Sequence, residues 1–300
     1  MRFKNLSTRG LTAIGYLAFT LFSLLLFLWL TFPYEVLRQR LVIQAEQAGM
    51  ALAVRRAGPA LFGMKLEAVQ LIPDSPEGIP DTTRALLIDR VAVRPSLLPL
   101  GVRVHADLMG GDAVGSWGLL GDADLQVSLE GLNPQRGNFL GYTGLDLEGL
   151  LQGELDLSMP KLDTGAADFS KANGELALQL AGTQLNGGTL PGALPLDLPS
   201  ARLGDLTLTL PIEEGVGTLT LSGNGEDLQL QGEGTLNLAR RLDASRVDLM
   251  VKLRASEAFA KAQPMIGMGL NTLPADPDDP TFRRARVGGT LSRLSFTPGR

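Results

Sequence analysis

At 300 residues, with 27 Lys and Arg against 32 Asp and Glu, the chain has a formal net charge of -5, which speaks against a nucleic-acid binder with its basic face. Cysteine is absent and histidine occurs once, so disulfide scaffolds, thiol chemistry and multi-histidine zinc centres are excluded. The 36 Gly and 18 Pro beside 44% hydrophobic and only 5% aromatic residues point to short apolar strands separated by turns, because the glycines keep no collagen period.

Residues 11–32, LTAIGYLAFTLFSLLLFLWLTF, carry no charge. Roughly 20 apolar residues at 1.5 Å per helical residue cross a hydrocarbon core of about 30 Å, so the run predicts a transmembrane anchor. Arg2, Lys4 and Arg9 precede it without an acidic residue and place the N-terminus on the cytoplasmic side. Trp29 and Tyr34 stand at the far end, where amphipathic rings favour the headgroup level. A cleaved signal peptide has a shorter apolar region and a small-residue cleavage site, and Thr31-Phe32-Pro33-Tyr34 supplies none. The expected topology is a single-pass inner-membrane protein with the bulk of the chain in the periplasm. Beyond the tail, 24 basic residues face 32 acidic ones, which disfavours adsorption to anionic lipid.

Residues 33–57 are read as a juxtamembrane helix, since Leu37, Leu41, Ala45 and Ala48 recur at spacings of three and four. From residue 58 to the end the period becomes 2, and a β-domain is expected, with a division near residues 187–199. Strands are predicted around residues 64–71, 85–93 (stopped by Arg94-Pro95), 102–106 and 125–129, with a Gly-rich stretch at 110–121 between the last two.

A loose repeat of Gly, polar, Leu, polar or small, Leu then follows. It reads Gly153-Glu154-Leu155-Asp156-Leu157, Gly174-Glu175-Leu176-Ala177-Leu178, Gly204-Asp205-Leu206-Thr207-Leu208, Gly217-Thr218-Leu219-Thr220-Leu221 and Gly234-Thr235-Leu236-Asn237-Leu238, with Leu228 and Leu230 continuing the alternation. Successive strand side chains point to opposite faces, so these leucines share one face and Asp, Thr, Gln and Asn the other. The expected fold is mainly β: an elongated antiparallel sheet with one apolar and one wet face. Residues 246–254 read as a further strand, 257–266 as a short helix, 271–280 as a surface loop and 289–296 as a closing strand.

The chemistry-bearing motifs are missing. No Gly pair completes G-x-G-x-x-G, no Gly-Lys-Ser/Thr forms a P-loop, and no G-x-S-x-G elbow occurs. His105 sits in an alternating run and reads as structural. Asp276-Pro277-Asp278-Asp279 lacks the spacing, central Gly and final Glu of a calcium loop and reads as a solvated turn. The expectation is therefore no enzyme, no catalytic residue, no cofactor and no metal. The apolar leucine face has two readings: the core of a sandwich closed on itself, or an open groove for lipid acyl chains.

Phe32-Pro33-Tyr34-Glu35-Val36-Leu37-Arg38-Gln39-Arg40-Leu41, directly after a single N-terminal span, resembles the membrane exit of the type II secretion system protein N family in its delta-proteobacterial form. Arg94-Pro95-Ser96-Leu97-Leu98-Pro99-Leu100 and the Gly-x-Leu-x-Leu strands are similar to it as well; Glu35 stands where the family carries Asp. The resemblance implies a non-enzymatic inner-membrane accessory of type II secretion, with other secretion components as partners. The leucine-rich strands also resemble AsmA-like proteins, and that likeness implies lipid transfer or envelope maintenance through an apolar β-groove.

Overall fold

The computed structural model describes residues 50–299 except 61–62, 74–83, 98–99, 163–164, 191–195, 241 and 292, together with isolated positions between 16 and 43. Among the described residues no helix is long and apolar enough to cross a membrane. The expected span at residues 11–32, with Arg2, Lys4, Arg9, Trp29, Phe32, Pro33 and Tyr34, lies outside the described residues apart from scattered helical positions such as Tyr16, Phe19 and Phe27.

The rest is one antiparallel sheet of fifteen strands that follow one another almost in chain order. They are β1 (Met50–Ala60), β2 (Gly63–Pro73), β3 (Leu86–Leu97), β4 (Leu100–Leu108), β5 (Gly111–Gly118), β6 (Ala123–Leu132), β7 (Leu145–Met159) and β8 (Asn173–Leu190). Then come β9 (Leu196–Leu198), β10 (Ala201–Glu213), β11 (Val216–Asn224), β12 (Leu228–Asn237), β13 (Arg246–Ala255), β14 (Arg283–Thr290) and β15 (Arg293–Pro298). Each strand pairs with the next, except that β10 returns to β8 and short β9 extends the same edge. Tight turns set much of this order, as between β4 and β5 or β10 and β11, because a strand that follows such a turn pairs with its own predecessor before any distant partner. The longer connections, such as residues 256–282 between β13 and β14, keep sequential neighbours adjacent as well. β1 and β15 each pair on one side only among the described residues, so the sheet is open.

Several sequence expectations need correction. β1 begins at Met50, inside the stretch read as helical; the Ala-rich run there pairs Val54 with Val69 and Ala57 with Leu66. Arg94-Pro95 does not stop β3, because Pro95 lies past the part of β3 that pairs with β2 and faces only Val102 of β4, where its missing N–H costs no ladder bond. The Gly-rich stretch at 110–121 contains β5. The closing strand is a hairpin of two, β14 and β15. Pairing of β8 with β10 and β9 carries the sheet unbroken past the connection at residues 187–199.

The long central strands are bent by bulges. In β7 the register shifts between Glu148 and Leu150, and in β10 on both sides of Gly204. Between them on β8 lies Gly182 at φ 61, and Gly204 itself has φ 67, a left-handed conformation that glycine adopts without penalty. The Gly182 amide donates to Asp205 Oδ1 at 2.7 Å, which locks the bulges of β8 and β10 together. A similar kink crosses β2 at Ala68, a non-glycine residue held at φ 50.

Among the described residues from 50 onward, helices lie in the connections between strands. α1 (Phe139–Thr143) follows a 3-10 turn at Pro134–Gly137 between β6 and β7. Between β13 and β14 lie α2 (Glu257–Ala262) and α3 (Pro264–Asn271), two helices where one was expected, because Pro264 interrupts the backbone hydrogen bonding. Ser256 caps α2 by accepting from the Phe259 amide at 3.2 Å.

Candidate functional site

The feature that organises the molecule is its apolar face. Along each strand every second residue points to it, and the register sets those residues beside their equivalents on the neighbours. One hydrogen-bonded row runs Leu66, Val91, Ala106, Ala113, Leu129, Gly153 through β2–β7. It continues Leu178, Leu208, Leu221, Gly232, Val251, Ala285 through β8 and β10–β14. A second row two residues along places Val93 beside Val104, Val127 beside Leu155, and Leu176 beside Leu210. Neither stretch contains a polar side chain. At about 4.8 Å per strand, the first row extends for roughly 50–60 Å.

The twelve leucines read as a candidate groove or core occupy alternate positions of β7, β8 and β10–β12. Leu155 and Leu157 lie on β7, Leu176 and Leu178 on β8, Leu206 and Leu208 on β10, Leu219 and Leu221 on β11, and Leu228, Leu230 and Leu236 on β12, with Leu238 just beyond it. Only Leu157 and Leu236 are buried, at 6% and 8% exposure; the other ten keep partial solvent access. No second sheet lies against them among the described residues. Glycines on the same face make room for them. A Cβ on Gly217 would come 2.7 Å from Leu210 Cδ1, and one on Gly223 would collide with Leu206 Cδ2, so these leucines lie flat over the facing glycine.

Two covers close parts of the face. The connection from β7 to β8 packs Ala167, Phe169 and fully buried Ala172 against Leu157, Met159 and Leu210. It is held by Asp168, which is 4% exposed and accepts from the Ser170 hydroxyl at 2.6 Å and the Ser170 amide at 3.2 Å; the hydroxyl bond holds the Asp168 carboxyl below the usual range. At the opposite ends of the strands, α2 seats Phe259 (7% exposed) against Leu185, Ala201 and Leu203, with Ile266 of α3 beside it.

The loop after α3 differs from the solvated acidic turn expected of it. Asp276 is 2% exposed, with Lys252 Nζ at 2.7 Å and Arg284 Nε at 3.7 Å. The hydrogen bond from Lys252 to this carboxylate raises the lysine above its ordinary value. Arg254 approaches Asp279 at 3.9 Å and stacks over Phe282, 4.6 Å from the ring centre. The loop is thereby tied to β13 and β14.

The wet face is laced by cross-strand bonds: Ser158 Oγ to Asp124 Oδ1 at 2.8 Å, Gln126 Nε2 to Asp156 Oδ2 at 3.2 Å, and Arg286 to both oxygens of Asp248 at 2.7 and 2.6 Å. Its charge is segregated along the chain. Residues 107–239 hold 19 Asp and Glu against 4 Lys and Arg, while residues 240–300 hold 6 against 11.

His105, expected to be structural, has Asp107 and Asp112 about its ring. The sequence signal for this grouping was the Met109-Gly110 pair between two alternating runs, which marks a two-residue hairpin turn and sets Asp107 opposite Asp112. Comparison with protein-family models, curated proteins and solved structures finds no match for this chain.

Proposed function

We propose that the protein is a non-catalytic lipid carrier: its apolar face is a groove for acyl chains, held at the inner membrane by the apolar segment at residues 11–32. The observation that carries the reading is an apolar row through twelve strands with no second sheet against it among the described residues. Domains ordinarily bury such a face against another element, and a contiguous apolar surface beyond several hundred Å² marks a binding site. Linear aliphatic chains match a face built of Leu, Val, Ala and Gly. Apart from β9, strand order follows chain order, so the groove leads away from β1, the strand next to the anchor. Tyr16, Phe19, Leu24 and Phe27 lie in helical conformation with 60–72% exposure, as lipid-facing positions of an anchor do. The acidic stretch at residues 107–239, with 19 Asp and Glu against 4 Lys and Arg, discourages that part of the sheet from lying flat on an anionic membrane.

The test is photo-crosslinking of the full-length protein in native membranes with a phospholipid carrying a photoreactive acyl chain. Peptide mass spectrometry should find adducts on β6–β12, and Leu206→Asp or Leu219→Asp should remove them. Adducts confined to residues 11–32, or unchanged in the variants, would overturn the proposal.

A role in type II secretion is the second reading. It rests on the Phe32–Leu41 motif, and one described contact favours a junction there: Arg38, paired with Glu35 at 2.9 Å, donates to the Val54 carbonyl at 3.2 Å. In this reading the motif fixes the exit helix to β1 so that the sheet reaches secretion components. Crosslinking that recovers none of them, with secretion intact after deletion of the gene, would remove it.

A further inference from the structure

The only histidine of the chain lies on the wet face of β4, two residues before Asp107 on the same face. The β4–β5 register sets Asp112 directly across from Asp107. His105 Nε2 is 3.1 Å from Asp107 Oδ1 and 3.3 Å from Asp112 Oδ1, and one ligand atom from each residue falls within 4.8 Å of the others. A ring nitrogen carries at most one proton and directs it well at one acceptor. Two carboxylates also repel each other when set directly across a pair of strands. A single imidazole N–H therefore serves one of them and leaves the other to solvent.

A metal ion answers both difficulties, since it bonds to all three atoms at once. With bonds of about 2.0–2.2 Å in a tetrahedron, neighbouring ligand atoms stand roughly 3.3–3.6 Å apart, within a few tenths of an ångström of the two distances to Nε2. Arg90 Nη1 approaches the other oxygen of Asp107, Oδ2, at 3.6 Å, which turns Oδ1 toward the histidine in the manner of an outer-shell partner. The platform is stiff. The hairpin turns at Met109 and Gly110, both at positive φ, and the Met109 carbonyl accepts from the Asn133 amide at 3.0 Å with the methionine 6% exposed. Three ligands from one short hairpin leave a fourth position open to water.

We infer that His105, Asp107 and Asp112 form a binding site for one divalent transition-metal ion, of which zinc is the natural probe. The site staples β4 to β5 on the wet face and is independent of the apolar groove. Imidazole and carboxylate oxygen suit zinc, whereas an ion such as calcium takes oxygen ligands alone.

The test is titration of chelator-treated, full-length protein in detergent with zinc chloride, followed by calorimetry. One equivalent should bind, more weakly as the pH falls because a protonated imidazole is no ligand. His105→Ala and Asp112→Asn should each lower the affinity at least tenfold. Asp124→Asn, a wet-face carboxylate outside the cluster, should leave it unchanged. Cobalt substituted for zinc should give the intense visible bands of a tetrahedral ion, lost in His105→Ala. All three substitutions lie at the surface, and thermal unfolding without metal confirms that each variant is folded. Absence of saturable zinc binding in the wild type, or wild-type affinity in His105→Ala, would overturn the inference. Either result would leave His105 as a hydrogen-bond partner of the aspartates alone.

Discussion

Truncating neighbouring leucines on β10 distinguishes an open face from a closed core. Leu208 and Leu210 point the same way, two residues apart, but Leu210 is 4% exposed under the β7–β8 cover while Leu208 keeps solvent access. Replacing leucine by alanine removes three carbon groups, worth about 0.8 kcal/mol each when fully buried, or roughly 2.4 kcal/mol. At Leu210 a cavity remains beneath the cover, and the total should reach about 3–4 kcal/mol. At Leu208 no cavity forms, because solvent or ligand occupies the space, and only part of the transfer free energy is lost: about 1–1.5 kcal/mol. Guanidinium unfolding of the two variants, followed by circular dichroism in a fixed detergent, measures both. Equal losses above 3 kcal/mol would show Leu208 to be packed under a second layer, and the groove reading would fail with it.

Glycines of two kinds should answer alanine differently. Gly204→Ala places a Cβ 2.8 Å from the Asn224 carbonyl oxygen at φ 67 and should cost about 2 kcal/mol, whereas Gly223→Ala crowds only the far end of the Leu206 side chain, with Leu230 at ordinary contact distance, and should cost under about 1 kcal/mol; thermal midpoints in the reverse order would refute the account of the bulges. Acid should destabilise the sheet. The Arg202 and Arg286 guanidiniums bond to Asp227 and Asp248 and hold these carboxyls below their usual values, so their contribution is complete above the unfolded value near about 4 and is lost as pH falls through the folded one. Lys252, raised by Asp276, contributes fully below its unfolded value of about 10.4 and loses that contribution at higher pH. Metal-free protein should therefore show level denaturation midpoints between about pH 5 and 9 and a fall on either side, and a maximum confined below pH 4 would contradict the pairing.

Much of the fold is legible in the residues themselves. Period-2 alternation is a local property, so Leu155, Leu176, Leu208 and Leu219 declare their strands and their common face without help from distant sequence. What misled was also local. Gly110 to Gly121 hides β5, because glycine signals a turn as readily as it makes room for a neighbour's side chain, and residues 50–57 satisfy a helical period as well as an extended one. Asp276 shows the same limit: a run of aspartates reads as solvated until Lys252 and Arg284, from strands on either side of the loop, are placed beside it.

The sequence by itself determined that the chain makes strands with one apolar face, since alternation along a strand needs no partner to define it. Only the tertiary structure decided what lies against that face. Whether it closes as a sandwich or stays open depends on which strands become neighbours, and here nearly every strand pairs with the next in sequence instead of one half folding over the other. Register, set by turns and by bulges such as the one at Gly204, then decided that a row of Leu, Val, Ala and Gly would run unbroken through twelve strands and that two aspartates would meet at one histidine.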